Sequence, residues 1–284
     1  MSSHLFRTKP PSLNPVALFF FLAYVITWGL YFAANSTSAP GLRGLLFYLG
    51  VFTPGLLALW LTRRADGSPG VVALLQRLVH WRVPARWYVF AVAYVATIKL
   101  TVAFLYRALA GAWPPFGDVS WYVMLAATLG STLLGGQVGE ELGWRGYALP
   151  RLAMRFGLGG ASLLLGVLWA GWHLPLFFIL GGDTVGQSFP LYVLQVTALS
   201  VAIAWLYLKT QGSLLLTMLL HAAVNNTKDI VPSAVPGATQ PWALSTSLVA
   251  WLTVILLWIA VGYFLVDMRK AGLPLPLVRR ATAA

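Results

Sequence analysis

The chain has 284 residues, of which 59% are hydrophobic and only 9% are charged. Soluble domains carry about 25% charged residues, so this composition excludes an ordinary globular protein and favours an integral membrane protein. The sequence contains no cysteine, which excludes disulfides, thiolate metal ligands and a cysteine nucleophile. The net charge of +12 does not indicate nucleic-acid binding, because the basic residues flank hydrophobic stretches, as in oriented membrane proteins.

Eight hydrophobic stretches approach the roughly 20 residues that a helix needs to cross a bilayer. They lie at about 15–34, 44–62, 87–110, 119–140, 160–181, 189–208, 212–230 and 243–266. We therefore predict an all-α integral membrane protein with about eight transmembrane helices. Its membrane domain is expected at 15–268, between a cytoplasmic N-terminal tail at 1–14 and a cytoplasmic C-terminal tail at 269–284.

Two segments between the predicted spans are amphipathic. Residues 70–82 contain Arg77 and Arg82 among apolar residues, which is typical of a short helix lying along the cytoplasmic membrane interface. Residues 146–158 are expected to do the same, with Arg151 and Arg155 at the lipid headgroups.

The distribution of Lys and Arg predicts how the protein is oriented. With both termini in the cytoplasm, fifteen of the basic residues fall on the inner side, and only Arg43, Arg107 and Lys228 fall on the outer side. Cytoplasmic loops of membrane proteins carry this excess of Lys and Arg. We therefore predict a multi-pass protein of the cell membrane with both termini cytoplasmic.

The only two glutamates are adjacent, at Glu140 and Glu141, in a largely apolar context. Ionisable groups at membrane depth are costly, so they are functional candidates by default. Glu141 and Arg145 are one helical turn apart and can form a structural ion pair. Glu140 then points about 100° away around the helix, as a free base aimed at another group would.

Two of the four histidines, His173 and His221, lie inside apolar spans, whereas His4 and His80 lie in the N-terminal tail and the interfacial segment. A lone histidine in a span is often only hydrogen-bonded to a neighbouring helix. Two of them together with a glutamate pair favour a site. Asn225 lies one turn after His221 on the same helix face, where its amide can stabilise an oxyanion or bind another helix.

Two neighbours of His173 complete the pattern. Trp169 lies one turn before it and is expected to wall the same face, and Pro175 is expected to loosen the helix just after it. A carboxylate, imidazoles and an amide are the groups that peptide hydrolysis needs. The sequence has no HExxH and no GxSxG, so a conventional zincin or serine hydrolase is not supported. We predict a polar catalytic cavity inside the bundle, in a core at 119–230.

The three motifs together resemble the CPBP (Abi) family, the CAAX-protease and bacteriocin-processing group of intramembrane proteases. That family has EExxxR, then an aromatic residue four before a histidine, then HxxxN or HxxxD. This chain has Glu140-Glu141-Leu-Gly-Trp-Arg145, Trp169-x-x-x-His173 and His221-x-x-x-Asn225 in the same order. Trp169 replaces the commoner phenylalanine.

The resemblance implies an eight-helix core whose site opens toward the cytoplasmic leaflet. It implies that Glu140, helped by His173, activates water, while His221 and Asn225 hold the oxyanion. Glu141 and Arg145 would then shape and charge-balance the site. The expected substrate is a membrane-anchored or lipidated peptide, including prenylated CAAX-type proteins.

The sequence leaves the cofactor open. Glu140, His173 and His221 could supply three zinc ligands, with water in the fourth position. The metal-free reading is slightly favoured, because Asn225 suits an oxyanion donor better than a metal ligand.

Two other functions stay open at this point. One is a non-proteolytic CPBP-like membrane protein, such as a bacteriocin-immunity or scaffolding factor. The other is a proton-coupled transporter, which the absence of an inverted repeat disfavours. Lys99, near the middle of the third span, has no assigned role. Pairing with Glu140 ranks first for it, ahead of lining the cleft or extending to an interface.

Overall fold

The computed structural model describes residues 14–179, 184, 186–232 and 240–271, and its regular elements are all helical. They are α1 (Asn14–Ser36), α2 (Pro40–Gln76), α3 (Ala85–Ala110), α4 (Trp121–Leu134), α5 (Gln137–Glu141), a π-helix (Leu142–Ala148), α6 (Leu149–Trp172), α7 (Phe189–Lys209), α8 (Leu214–Thr227) and α9 (Leu248–Ala271). Short 3-10 turns lie at Arg77–Val79, Leu174–Phe177 and Lys228–Ile230. The predicted tails fall almost wholly outside the described residues, as does His4, although residues 269–271 belong to α9.

Six helical stretches of the described chain are long and apolar enough to cross a membrane. They are Asn14–Ser36, Pro40–Val79, Ala85–Ala110, Gln137–Trp172, Phe189–Lys209 and Leu248–Ala271. The shorter helices α4 and α8 have 14 residues each. The prediction of an all-α integral membrane protein is confirmed.

The stretch from Gln137 to Trp172 is two antiparallel legs that meet at Gly157. Trp169 hydrogen-bonds Glu140 over 29 residues, which a straight helix would place about 43 Å apart. Gly157 has φ 68° and ψ 165°, a backbone conformation that only glycine adopts without strain. With this reversal, and with α4 continuing into the first leg, the described chain makes the eight passes that the sequence predicts.

The reversal corrects two expectations. Residues 146–158 are not a separate interfacial segment, because they complete the leg that begins at Gln137, and Leu149, Leu152 and Ala153 in it are buried. Glu140 is not at the inner end of its span either. Its helix breaks at 135–136 and then continues for about four turns beyond the glutamate.

The bundle has two ends with different chemistry. At one, which we call the basic end, Arg77 Nη1 donates to Tyr207 Oη at 2.7 Å and Arg151 pairs with Asp66 at 3.5 Å. At the other, the cavity end, Gly117 N donates to the carbonyl oxygen of Ile230 at 3.2 Å. The predicted segment 70–82 lies at the basic end, where α2 bends at Gly67 and continues to Gln76.

Close contact between α2 and the glutamate helix positions the two carboxylates. A Cβ atom on Gly139 would lie 2.8 Å from Phe52 Cα, and one on Gly143 would lie 2.7 Å from the Pro54 carbonyl carbon. Both positions therefore exclude any larger residue unless the backbones separate. Small residues at this spacing allow membrane helices to approach closely, and here they hold residues 140 and 141 against the bundle interior.

Candidate active site

Glu140 is 7% exposed and faces the second leg of its own helical stretch. Its Oε2 accepts a hydrogen bond from Trp169 Nε1 at 2.7 Å. The sequence assigned Trp169 only to the wall of the site, so this donor is an addition from the structure. The bond fixes one carboxylate oxygen of Glu140 and therefore orients the group.

His173 is the residue at which α6 ends, immediately before the 3-10 turn that contains Pro175. Its Nδ1 lies 2.9 Å from the carbonyl oxygen of Trp169. Because a carbonyl only accepts, Nδ1 carries the hydrogen, and Nε2 is directed toward Glu140. Nε2 lies 3.9 Å from Glu140 Oε2, which is too long for a direct hydrogen bond.

The second glutamate forms a separate buried cluster. Glu141 Oε1 accepts from Arg145 Nη1 at 2.7 Å and from His221 Nδ1 at 3.0 Å. Glu141 and Arg145 are fully buried, and His221 is 3% exposed. The guanidinium also lies over the Trp169 ring, 4.4 Å from its centroid. Glu141 thus compensates the arginine charge and fixes the tautomer and orientation of His221.

The π-helix contributes to this arrangement. It runs from Leu142 to Ala148, and every residue in it is buried. Single π-helical turns are rare and frequently occur at functional sites. Here the wide turn keeps Arg145 inside the bundle, one turn from Glu141, while the chain continues toward the basic end.

These groups line a cavity of about 340 Å³ inside the bundle. Glu140, His173, His221 and Asn225 all contribute to its wall. Asn225 is the exposed member of the set, and it makes no side-chain hydrogen bond within the described part of the chain. Its neighbour Asn226 is instead bonded to Ser131 Oγ at 3.1 Å.

A protein metal site needs at least three ligating side chains that point at one position. Among the described residues, no three His, Asp or Glu side chains converge as a bound metal would need. His221 directs Nδ1 to Glu141, and the ligand set proposed from the sequence, Glu140, His173 and His221, does not form such a group in this arrangement.

The structure brings together all seven residues that the sequence predicts for the site, and it pairs them in a way that the motifs alone do not indicate. They are Glu140, Glu141, Arg145, Trp169, His173, His221 and Asn225. Glu140 faces His173, and Glu141 faces His221. Lys99 also lines the cavity, but its Nζ donates to Val231 O at 3.0 Å rather than pairing with Glu140. The close α2 contact was missed as well, although the glycines at 136, 139, 143 and 146 signal it.

The comparisons with known proteins cover the same region. A family model described as type II CAAX prenyl endopeptidase, Rce1-like, matches residues 120–227, which contain all three motifs. The CAAX prenyl protease 2 of Methanococcus maripaludis is 25% identical over 237 residues, covering 77% of this chain and 85% of the relative. The part of the chain that carries the three motifs is therefore similar to the Rce1-like CAAX endopeptidases.

Proposed function

We propose that the protein hydrolyses a peptide bond of a membrane-associated CAAX-type substrate, using water activated by Glu140. The observation that carries this is the gap of 3.9 Å between Glu140 Oε2 and His173 Nε2. A polar contact of this length suits a bridging water. The Trp169 donor leaves the carboxylate a remaining lone pair on Oε2 and all of Oε1 for that water.

The reaction follows from the roles of the two clusters. Glu140 takes a proton from water as the water oxygen attacks the carbonyl carbon, and His173 orients that water. The proton then passes to the leaving nitrogen as the C–N bond breaks, which restores the carboxylate. General base catalysis of this kind contributes about 10²- to 10⁴-fold to the rate.

The oxyanion is assigned to α8. Glu141 holds the His221 ring through Nδ1, so that Nε2 is left to face the developing negative charge and to donate a hydrogen to it in the transition state. Asn225 lies one turn further along α8, and its amide is the second donor. The helix that carries both donors is in place before the substrate arrives, because α8 is packed against α3 and α4.

The proposed substrate is a lipid-anchored peptide, including a prenylated one. The cavity combines the polar set with apolar walls from Tyr31, Val51 and Leu176, inside a bundle that crosses the membrane. The relative from Methanococcus maripaludis is called a CAAX prenyl protease, which supports the same substrate class for this chain.

The experiment is cleavage of a fluorogenic farnesylated CAAX peptide by the purified protein in detergent, with and without a chelator. Glu140→Gln keeps the shape of the side chain but removes the general base. The rate of cleavage should therefore fall by at least about 10²-fold. Asp118→Asn, outside the cavity lining, is the matched control and should cleave like the parent. A Glu140→Gln variant as active as the parent would refute the mechanism.

The other outcomes distinguish a metal-free protease, a metalloprotease and a non-proteolytic protein. Activity that survives the chelator supports the glutamate mechanism, and loss that zinc restores supports a metalloenzyme. No cleavage by the folded parent would favour the non-proteolytic alternative.

We also propose that both termini are cytoplasmic, which has a consequence for substrate entry. Ten described Lys and Arg residues belong to the basic end, namely Arg63, Arg64, Arg77, Arg82, Arg86, Arg151, Arg155, Lys209, Arg269 and Lys270. Four exposed residues of the cavity wall lie toward the opposite end, namely Phe47, Tyr48, Asn225 and Asp229. By the positive-inside rule, the cavity then opens on the non-cytoplasmic side. The resemblance to the CPBP family implies instead that the site opens toward the cytoplasmic leaflet. A cavity at the end opposite the basic residues cannot satisfy both this expectation and the positive-inside rule.

Cysteine labelling decides between them, because the chain has no native cysteine. Ser38→Cys lies in the turn between α1 and α2 at the cavity end, and Ser68→Cys lies at the basic end. A membrane-impermeant maleimide should label Ser38→Cys in intact cells and Ser68→Cys only after permeabilisation. The reverse pattern would place the cavity in the cytoplasmic half.

A further inference from the structure

Lys99 is a buried cation that the proposed hydrolysis does not use. It is 3% exposed and lies in the middle of α3, a helix of largely apolar residues. Its Nζ donates to the Val231 carbonyl oxygen at 3.0 Å and lies 3.5 Å from Thr253 Oγ1. A charge at membrane depth is costly and commonly marks a substrate or ion pathway.

The charges of the cavity wall are separated into two regions. Glu140 and His173 lie in one region, the hydrolytic region. Lys99 lies in the other, where Asp229 attracts it and Lys228 repels it. All three of these residues line the same cavity as Glu140. Two cations and one anion leave this second region with a net positive charge, so we call it the cationic region.

The distance between the two regions matches a short peptide. Lys228 follows His221 by seven residues along α8 and its final turn, so the two lie about 10 Å apart along the axis. Lys99 belongs to the same level as Lys228, because its Nζ contacts Val231. An extended peptide advances about 3.3 Å per residue, so three residues span about 10 Å.

We propose that Lys99, assisted by Lys228, binds the free C-terminal carboxylate of a peptide cleaved three residues from its end. This inference rests on the proposed function and adds the group that sets how far from the C-terminus the peptide is cleaved. An ammonium group pairs with a carboxylate through charge-assisted hydrogen bonds, which are stronger than neutral ones. The hydrogen bond to the Val231 carbonyl oxygen and the attraction of Asp229 position the lysine before the substrate binds.

The test compares two prenylated fluorogenic peptides of identical sequence, one ending in a free carboxylate and one in a carboxamide. The full-length protein in detergent should cleave the carboxylate peptide with a kcat/KM higher by about tenfold, the factor expected for one charged hydrogen bond. In Lys99→Met the ratio should fall to about one, and in Lys99→Arg part of it should return. Lys209→Met, at the basic end, should keep the parent's ratio.

Each outcome decides a separate question. A parent ratio near one, or a Lys99→Met ratio equal to the parent's, overturns the inference and leaves the proposed function standing. Cleavage of neither peptide by the parent contradicts the proposed function, and the inference falls with it. If Lys99→Met does not fold, Lys228→Met, at a partly exposed position, provides the second test and should lower the ratio.

Discussion

Removing both charges of the buried Glu141–Arg145 pair should destabilise the protein by less than the sum of the two single removals. Glu141→Gln leaves the guanidinium of Arg145 without a counter-charge at a position that solvent does not reach. Removing one partner of a buried ion pair costs about 3–5 kcal/mol of unfolding free energy. Arg145→Met should cost a similar amount, because it leaves Glu141 with His221 alone and also removes the contact over the Trp169 ring.

The double variant Glu141→Gln/Arg145→Met leaves no uncompensated charge on either residue. Its destabilisation should therefore be smaller than the sum of the single variants by about 2–3 kcal/mol, the upper range for residues in direct contact. Lys209 and Asp267 form the matched control pair. Their ion pair is similarly short, at 2.6 Å against 2.7 Å, but both side chains are about one quarter exposed. Breaking that pair should cost less than about 1 kcal/mol.

The assay is equilibrium unfolding in mixed micelles of dodecyl maltoside and SDS, followed by the fluorescence of the 13 tryptophans. The two single variants, the double variant and the two control variants are compared with the parent at one pH. Additive costs for Glu141→Gln and Arg145→Met would refute the reasoning, because they would mean that the two charges do not interact. A cost for Asp267→Asn as large as that for Glu141→Gln would show that burial does not set the magnitude.

Three further variants test other parts of the site. Trp169→Phe keeps an aromatic ring beside Arg145 but removes the hydrogen-bond donor to Glu140. Steady-state kinetics should show kcat lower by about tenfold, and thermal melting should show that the protein stays folded. Gly143→Ala should lower the unfolding free energy by about 1–3 kcal/mol, because the added Cβ would collide with α2. Gly130→Ala is the control: its Cβ meets nothing within 4 Å, so it should be neutral in the same unfolding assay. Asn225→Ala should lower kcat about 10²-fold without changing the melting temperature, and an unchanged kcat would remove the amide from the oxyanion site.

The resemblance to the CPBP family and the positive-inside rule predict opposite sides of the membrane for the opening of the cavity. The rule places Arg63, Arg77 and Arg151 in the cytoplasm, and these residues lie at the end of the bundle away from the exposed part of the cavity. If labelling of Ser38→Cys and Ser68→Cys follows the charges, the substrates are peptides that reach the enzyme from the non-cytoplasmic side. That result would separate this chain from a processing enzyme acting on cytoplasmic proteins.

The amino-acid sequence alone determined the class of the protein and the identity of its polar residues. Composition and hydropathy suffice for an all-α membrane protein, because a bilayer admits few other ways to satisfy the backbone. Ionisable residues are so costly at membrane depth that Glu140, His173 and His221 stand out against their apolar neighbours. The Glu141–Arg145 ion pair was also predictable, since both residues lie one turn apart on one helix.

Only the tertiary structure decided which of these residues meet. The reversal at Gly157 returns Trp169 to Glu140, and nothing in the local hydrophobicity separates that reversal from a continuous amphipathic helix. The pairing of Glu141 with His221, and the position of Lys99 beside Val231, depend on how helices distant in sequence pack together. Sequence periodicity reports which face of one helix is apolar, whereas contacts between helices are set by close packing of side chains across the bundle.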